Sequence, residues 1–153
     1  MKTEPDVFSI EDLVRRPGQV ELWDGVRNYQ ARNFMLNDMK VGDLVLFYHS
    51  NAEPSGIAGI AEIVAPARPD PSSWDSGSEY FDPKSTPGKP RWFCVTVGKP
   101  QPFKQFITLD MLRAHVELKD MLVLRKGQRL SIQPVSWEHF EFVAKLGNTS
   151  QMG

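Results

Sequence analysis

The run Trp23-Asp24-Gly25-Val26-Arg27-Asn28-Tyr29-Gln30-Ala31-Arg32-Asn33 gathers two aromatic rings, two guanidiniums and three side-chain amides around one glycine turn. A core segment would be apolar, and a solvated loop rarely spends a Trp and a Tyr. Flat rings beside directional donors are what a protein needs to hold a planar, polar ligand such as a nucleobase. Further along, Phe47-Tyr48-His49-Ser50-Asn51 sets polar chemistry at the end of an apolar stretch. The two runs together predict one pocket.

Each candidate carries a plain reading beside a functional one. Trp23 is either a core anchor of the turn or a wall of the pocket. Val26 is counted with the pocket lining. Asn28 suits a helix cap, and its amide, both donor and acceptor, also suits a base edge. Arg27 and Arg32 are surface ion-pair residues or bidentate donors to a phosphate or base. Tyr29 is packing or a stacking wall. At the strand end, Tyr48 or His49 supplies a wall and Ser50 a donor, against a structural histidine and a loop cap. Trp92 divides evenly between core and wall, whereas Phe93, Phe140 and Trp137 read as core. Lys84 and Arg91 are the expected contacts to a nucleic-acid backbone.

Catalysis finds less support. Cys94 and His49 are a conceivable nucleophile pair, but Cys94 sits in an alternating strand and reads as inert packing. Adjacent His49 and Ser50 point to opposite faces of a strand. No GxSxG, P-loop or metal-ligand triad occurs. The expectation is a non-enzymatic protein without cofactor or metal.

The bounds agree with one domain over 1–153. A chain of 153 residues buries roughly 70% of its unfolded surface. Hydrophobic residues at 41% and charged ones at 24% are ordinary for a globular protein. No apolar run is long enough for a bilayer, so no membrane partner is expected. The Met1–Asp6 segment lacks the apolar core of a secretory leader. The single cysteine leaves no internal disulfide, and a cytoplasmic monomer is the expectation. A net charge of −1 argues against a grip through many phosphates. Charge is uneven, however: five basic residues and no acidic one lie between Pro83 and Leu109, and Arg125, Lys126 and Arg129 form a second cluster.

The elements that must position these residues are short. Ser9 and the acids after it predict a helix start, stopped by Pro17-Gly18. Asn28 predicts the cap of a second helix with Ala31, Phe34, Met35 and Met39 on one face. Lys40 to Asp43 reads as a turn into a strand from Leu44 to His49, paired with Gly56 to Val64. The segment from Ala65 to Pro90 reads as an ordered excursion pinned by Trp74, Tyr80 and Phe81. Strands are expected at Trp92–Val97 and Arg129–Gln133, with a short helix from Thr108. Ser136 caps a last helix whose Trp137, Phe140, Val143 and Ala144 face inward before Gly147 ends it. The class is α+β: a small curved sheet or barrel with flanking helices.

Lys2-Thr3-Glu4-Pro5, the Trp23–Asn33 run, Val41-Gly42-Asp43, Phe47-Tyr48-His49-Ser50, Gly56-Ile57-Ala58-Gly59, Tyr80-Phe81-Asp82-Pro83-Lys84 and Pro90-Arg91-Trp92, in this order, resemble the EVE domain family. The resemblance covers nearly the whole chain. It implies a PUA-like β-barrel related to the YTH and ASCH domains, and as ligand a modified base, especially C5-modified cytosine in DNA, extruded from the duplex. In that family an aromatic-rich strand usually precedes the Lys-Thr-Glu-Pro motif; here the chain starts at the Met before it, so a trimmed or shorter first strand is expected. The reading is therefore a non-catalytic module that accepts one flipped, modified base, with RNA as the other carrier. A nucleoside or small-molecule sensor using the same pocket is the alternative, and a hydrolase of modified nucleotides the third.

Overall fold

The computed structural model describes residues 1–127 and 129–148. Its first helix, α1 (Ile10–Arg15), starts in a capping box: the Ser9 hydroxyl accepts from the Asp12 amide, and the Asp12 carboxylate accepts from the Ser9 amide. Helix α2 (Tyr29–Asn33) is capped by Asn28 and continues as a π-helical turn over Phe34–Asp38. Two later helices, α3 (Leu109–Arg113) and α4 (Trp137–Asn148), lie near the other end of the chain.

Strands β1 (Lys2–Thr3), β2 (Val20–Leu22), β3 (Leu44–His49), β4 (Gly56–Pro69) and β5 (Phe93–Thr108) form one sheet in the order β1-β3-β4-β5-β2. β1 runs parallel to β3, and every other neighbouring pair is antiparallel. Register shifts interrupt β3–β4 between Phe47 and Tyr48, and β4–β5 at four places between Ile57 and Arg68. Bulges bend and twist the strands that carry them, and the sheet is accordingly curved. It does not close: β1 and β2 are its edges and do not pair, so the curved sheet of the α+β expectation is found and the barrel is not.

Side-chain alternation along β3 sends Val45 and Phe47 to one core and Leu46 and Tyr48 to another. The first core holds Ile10 and Leu13 of α1, Trp23, Ala31 and Met35 against Phe47, Val95 and Val97. Fully buried Phe47 centres it, and burying such a ring is worth about 1.5–3 kcal/mol. The second core packs Leu112, Leu118, Phe140 and Val143 over Ile57 and Ile107.

Four expectations are corrected. Arg129–Gln133 is irregular rather than a strand; its link to the sheet is Lys2 N donating to Ser131 O at 2.8 Å, since β1 offers too little edge for a ladder. Trp137 does not face inward: it is 61% exposed and lies parallel on Phe140 with ring centroids 5.4 Å apart. Gly147 does not end α4, which runs to Asn148; it is buried, where a Cβ would collide with the Phe103 ring. Finally, β4 reaches Pro69, and polar contacts join the Tyr80 ring, which meets Gly25, in pinning the excursion beyond it. Ser73 and Ser85 hydroxyls meet at 2.9 Å, Trp92 Nε1 donates to Asp82 at 2.8 Å, and Phe81 is exposed.

Candidate nucleic-acid interface

Beyond β2 the chain stays pinned to β5, because Trp23 N donates to Val95 O at 2.8 Å. This holds the Trp23 ring edge-on to Phe47 (5.4 Å) and to Phe8 (6.4 Å). Gly25 then turns with φ +80°, and a Cβ there would lie 2.7 Å from the Tyr80 ring, so only glycine lets the two segments touch. Around Trp23, Phe8, Asp24, Val26, Arg27 and Tyr80 opens a cavity of about 700 Å³. Lys2, Glu4, Arg16, Glu21 and Glu79 complete its polar rim.

One wall is fastened by a buried ion pair. Asp70 is fully buried and accepts from Arg27 Nη1 at 3.0 Å, from Gly25 N at 2.9 Å, and from both the amide and hydroxyl of Ser72. Arg27 also donates through Nε and Nη2 to Tyr80 O at 3.0 and 2.7 Å. Burial alone would raise the Asp70 pKa, but the hydrogen bonds from Ser72, Gly25 and Arg27 outweigh it and hold the carboxyl low. The Arg27 side chain is thereby spent on the wall rather than left free for a phosphate.

Beside this wall stands a stack of rings and cations. Tyr29 lies on Trp92 with centroids 4.7 Å apart at 16°, and Arg32 sits 4.6 Å from the Tyr29 ring. Arg27 stands 5.2 Å from the centre of the Trp92 ring. Trp92 is buried, whereas Tyr29 is 50% exposed. Arg32 donates to Arg91 O and to Asn33. Arg91 N is held by Ser85, and exposed Lys84 shares the loop that presents Asp82 to Trp92.

The structure thus brings Trp23, Val26 and Arg27 to the cavity, and Asn28, Tyr29, Arg32, Lys84, Arg91 and Trp92 to the flank beside it. Asn28 spends its Oδ1 on capping Ala31 N at 3.0 Å. The single pocket joining this run to the Phe47–Ser50 run is a correction, because Tyr48, His49 and Ser50 do not line the cavity. Period-two alternation turns Tyr48 into the opposite core, where burial pushes its hydroxyl pKa up. His49 Nε2 accepts from Ile10 N at 3.2 Å, its ring against Phe47 and Phe106. Ser50 contributes its amide to Thr3 O at 2.8 Å. Cys94 is buried, and burial pushes its thiol up to about 12, which removes the Cys94–His49 pair as a nucleophilic site. Among the described residues no group of three or more His, Cys, Asp or Glu side chains is placed to hold a metal ion.

Four residues of the site were not singled out as ligand contacts by sequence: Phe8, Asp24, Asp70 and Tyr80. Asp70 has a local signal, a capping acid before Pro71-Ser72. Its partner lies 43 residues earlier, and no local pattern announces that.

The EVE domain family profile matches residues 1–146. Human thymocyte nuclear protein 1 is 42% identical over 163 residues, an alignment spanning 95% of this chain and 72% of that protein. The uncharacterized protein C21.03c of Schizosaccharomyces pombe is 39% identical over 141 residues, spanning 91% of this chain and 59% of that protein. Among solved structures, a Pseudomonas syringae protein superposes with a TM-score of 0.88 at 44% identity, covering 95% of this chain and 96% of its own. Human THYN1 protein in complex with 5-methylcytosine containing DNA superposes with a TM-score of 0.90 at 42% identity, covering 98% of this chain and 96% of its own.

Proposed function

The chain belongs to the EVE domain family, and from that membership and the geometry we propose that it binds DNA without catalysis, admitting one extruded base, 5-methylcytosine foremost, into the Trp23 cavity. The observation that carries this reading is the cavity itself. About 700 Å³ is ample for a single base, Trp23 and Phe8 line it with apolar surface, and Asp24 and the other carboxylates offer its edge polar partners. The relative of the same fold in complex with 5-methylcytosine containing DNA supports the choice of ligand.

Contact with one aromatic face is worth roughly 1–3 kcal/mol per base, and extrusion costs a few kcal/mol, least for a weakened pair. Binding energy must therefore come from the base as well as from the backbone. Arg27 and Asn28 act by holding the wall and the helix that frames it. The flank of exposed Tyr29 and Lys84 and half-buried Arg32 and Arg91 positions the strand that carries the base.

Fluorescence-anisotropy titration of matched duplexes with cytosine, 5-methylcytosine and 5-hydroxymethylcytosine tests the reading, with single-stranded RNA beside them. Selective binding of a modified duplex, weakened about tenfold in Trp23→Leu by loss of a stacking face, is expected, with thermal melting to verify folding. Equal, feeble binding of all duplexes contradicts it.

The acid-rich rim favours a second reading in which the ligand is a free nucleoside, because four carboxylates repel phosphate. Competition separates the two. A free modified nucleoside that displaces the duplex at a concentration near the duplex's own affinity would establish the second reading.

A further inference from the structure

We infer that Asp24 reads the exocyclic amine of the base entering this cavity, so that the site takes a 4-amino pyrimidine and rejects its 4-oxo counterpart, thymine. The inference rests on the base-binding reading above and assigns the edge chemistry within it.

Most charged groups around the cavity are already engaged. Arg16 Nε is held by Glu21 at 2.6 Å, Arg27 is spent on Asp70, Ser72 and Tyr80 O, and Lys2 lies over the Tyr48 ring. Glu4 accepts from Asn51 Nδ2 at 2.6 Å, and the Tyr80 hydroxyl is coupled to Glu79. Among the described residues Asp24 has no hydrogen bond or ion pair to another side chain, although it stands on the cavity wall beside Trp23. Of the charged side chains lining the cavity, the one left for a ligand is therefore an acceptor.

5-Methylcytosine and thymine carry the same C5 methyl group, so an apolar face for the methyl cannot separate them. They differ at C4, where one presents an amine that donates and the other a carbonyl that accepts. A carboxylate at that edge accepts from the amine but repels the carbonyl, and repulsion of this kind is an effective source of specificity. Burial, then the charges of Asp70 and Glu21, push the Asp24 carboxyl up, against the opposing pull of Arg27. In its ionised form the carboxyl is acceptor-only, so it takes the amine and has no donor to offer O4.

The test compares one duplex carrying 5-methylcytosine opposite guanine with the same duplex carrying thymine opposite guanine. The mismatched thymine opens more easily, so any bias from extrusion runs against the inference. Wild-type protein is expected to bind the 5-methylcytosine duplex about tenfold more tightly, the size expected of one edge contact. Asp24→Asn, whose amide can donate to O4, should close that gap mainly by gaining affinity for thymine, and Asp24→Ala should close it mainly by losing 5-methylcytosine. Asp24 is exposed at a turn, and unchanged melting verifies that both variants fold. Equal wild-type affinity for the two duplexes, or a preference that survives in both variants, overturns the inference while leaving base binding intact. Binding to neither duplex removes the base-binding reading and this inference with it.

Discussion

Arg27 and Asp70 meet at 3.0 Å across 43 residues of sequence, and their pairing ties the aromatic turn to the long excursion between β4 and β5. The Asp70 side chain is fully buried while that of Arg27 is 22% exposed, so it is the Asp70 charge that no water compensates if its partner is removed. Removing one member of a buried pair costs about 3–5 kcal/mol, because the other charge stays buried and unpaired.

Arg27→Ala should accordingly lower unfolding stability by about 3 kcal/mol in urea denaturation. Arg27→Lys should not rescue it, since an ammonium cannot reach Asp70, Ser72 and Tyr80 O together as the planar guanidinium does. Loss below about 1 kcal/mol would place the pair among ordinary surface ion pairs.

His49 makes stability fall in mild acid. Its Nε2 accepts from Ile10 N, so the native state needs the neutral ring, and burial holds its pKa below 6.5 against the opposing pull of Glu11 and Asp12. In the unfolded chain the same ring takes up a proton near pH 6.5. Between the two values the unfolded state binds more protons, so stability rises with pH there. The contribution is complete above pH 6.5 and is lost as pH falls through the folded pKa. Unfolding free energies measured from pH 7.5 down to 5 should show this decline, and His49→Gln should remove that part of it.

Backbone contacts should be few. The net charge is −1, and Arg27 and Arg16 are committed to Asp70 and Glu21. The affinity for DNA should fall with salt at a slope near −2 to −3, about two or three phosphates. Lys84→Ala and Arg91→Ala should each reduce the slope by about 0.9 while leaving the preference among bases unchanged. A slope as steep as −6, about seven phosphates, would mean a backbone-dominated interface that this surface does not offer.

The pieces of the fold legible in sequence were those written locally. Ser9 and Asp12 form their capping box, Asn28 caps α2, and Leu44–His49 is a strand because each signal lies within a few neighbouring residues. The lengths of β4 and β5 were not legible. Strands expected over Gly56–Val64 and Trp92–Val97 run on through Pro66, Pro100 and Pro102, residues without a ladder donor, and their pairing is broken by register shifts. The site was half legible. Ring and amide composition marked the Trp23–Asn33 run, but the parity of β3 sends Tyr48 to the far core, and the bulge before it makes that parity hard to read. Arg27 looked like a phosphate contact because its partner, Asp70, is brought near only by the fold. Trp137 matched an inward helical spacing and lies outside, since the core ends at Phe140.

The most direct measurement follows the indole N–H signals of labelled protein in two-dimensional NMR during titration with a 5-methylcytosine duplex, with each Trp assigned by substitution. Trp23 lines the cavity and Trp137 lies exposed on α4. A base entering the cavity must shift the Trp23 signal, leave Trp137 in place, and shift Trp23 less with unmodified duplex. A stationary Trp23 with binding shown elsewhere, or equal shifts with both duplexes, would contradict modified-base recognition at this cavity.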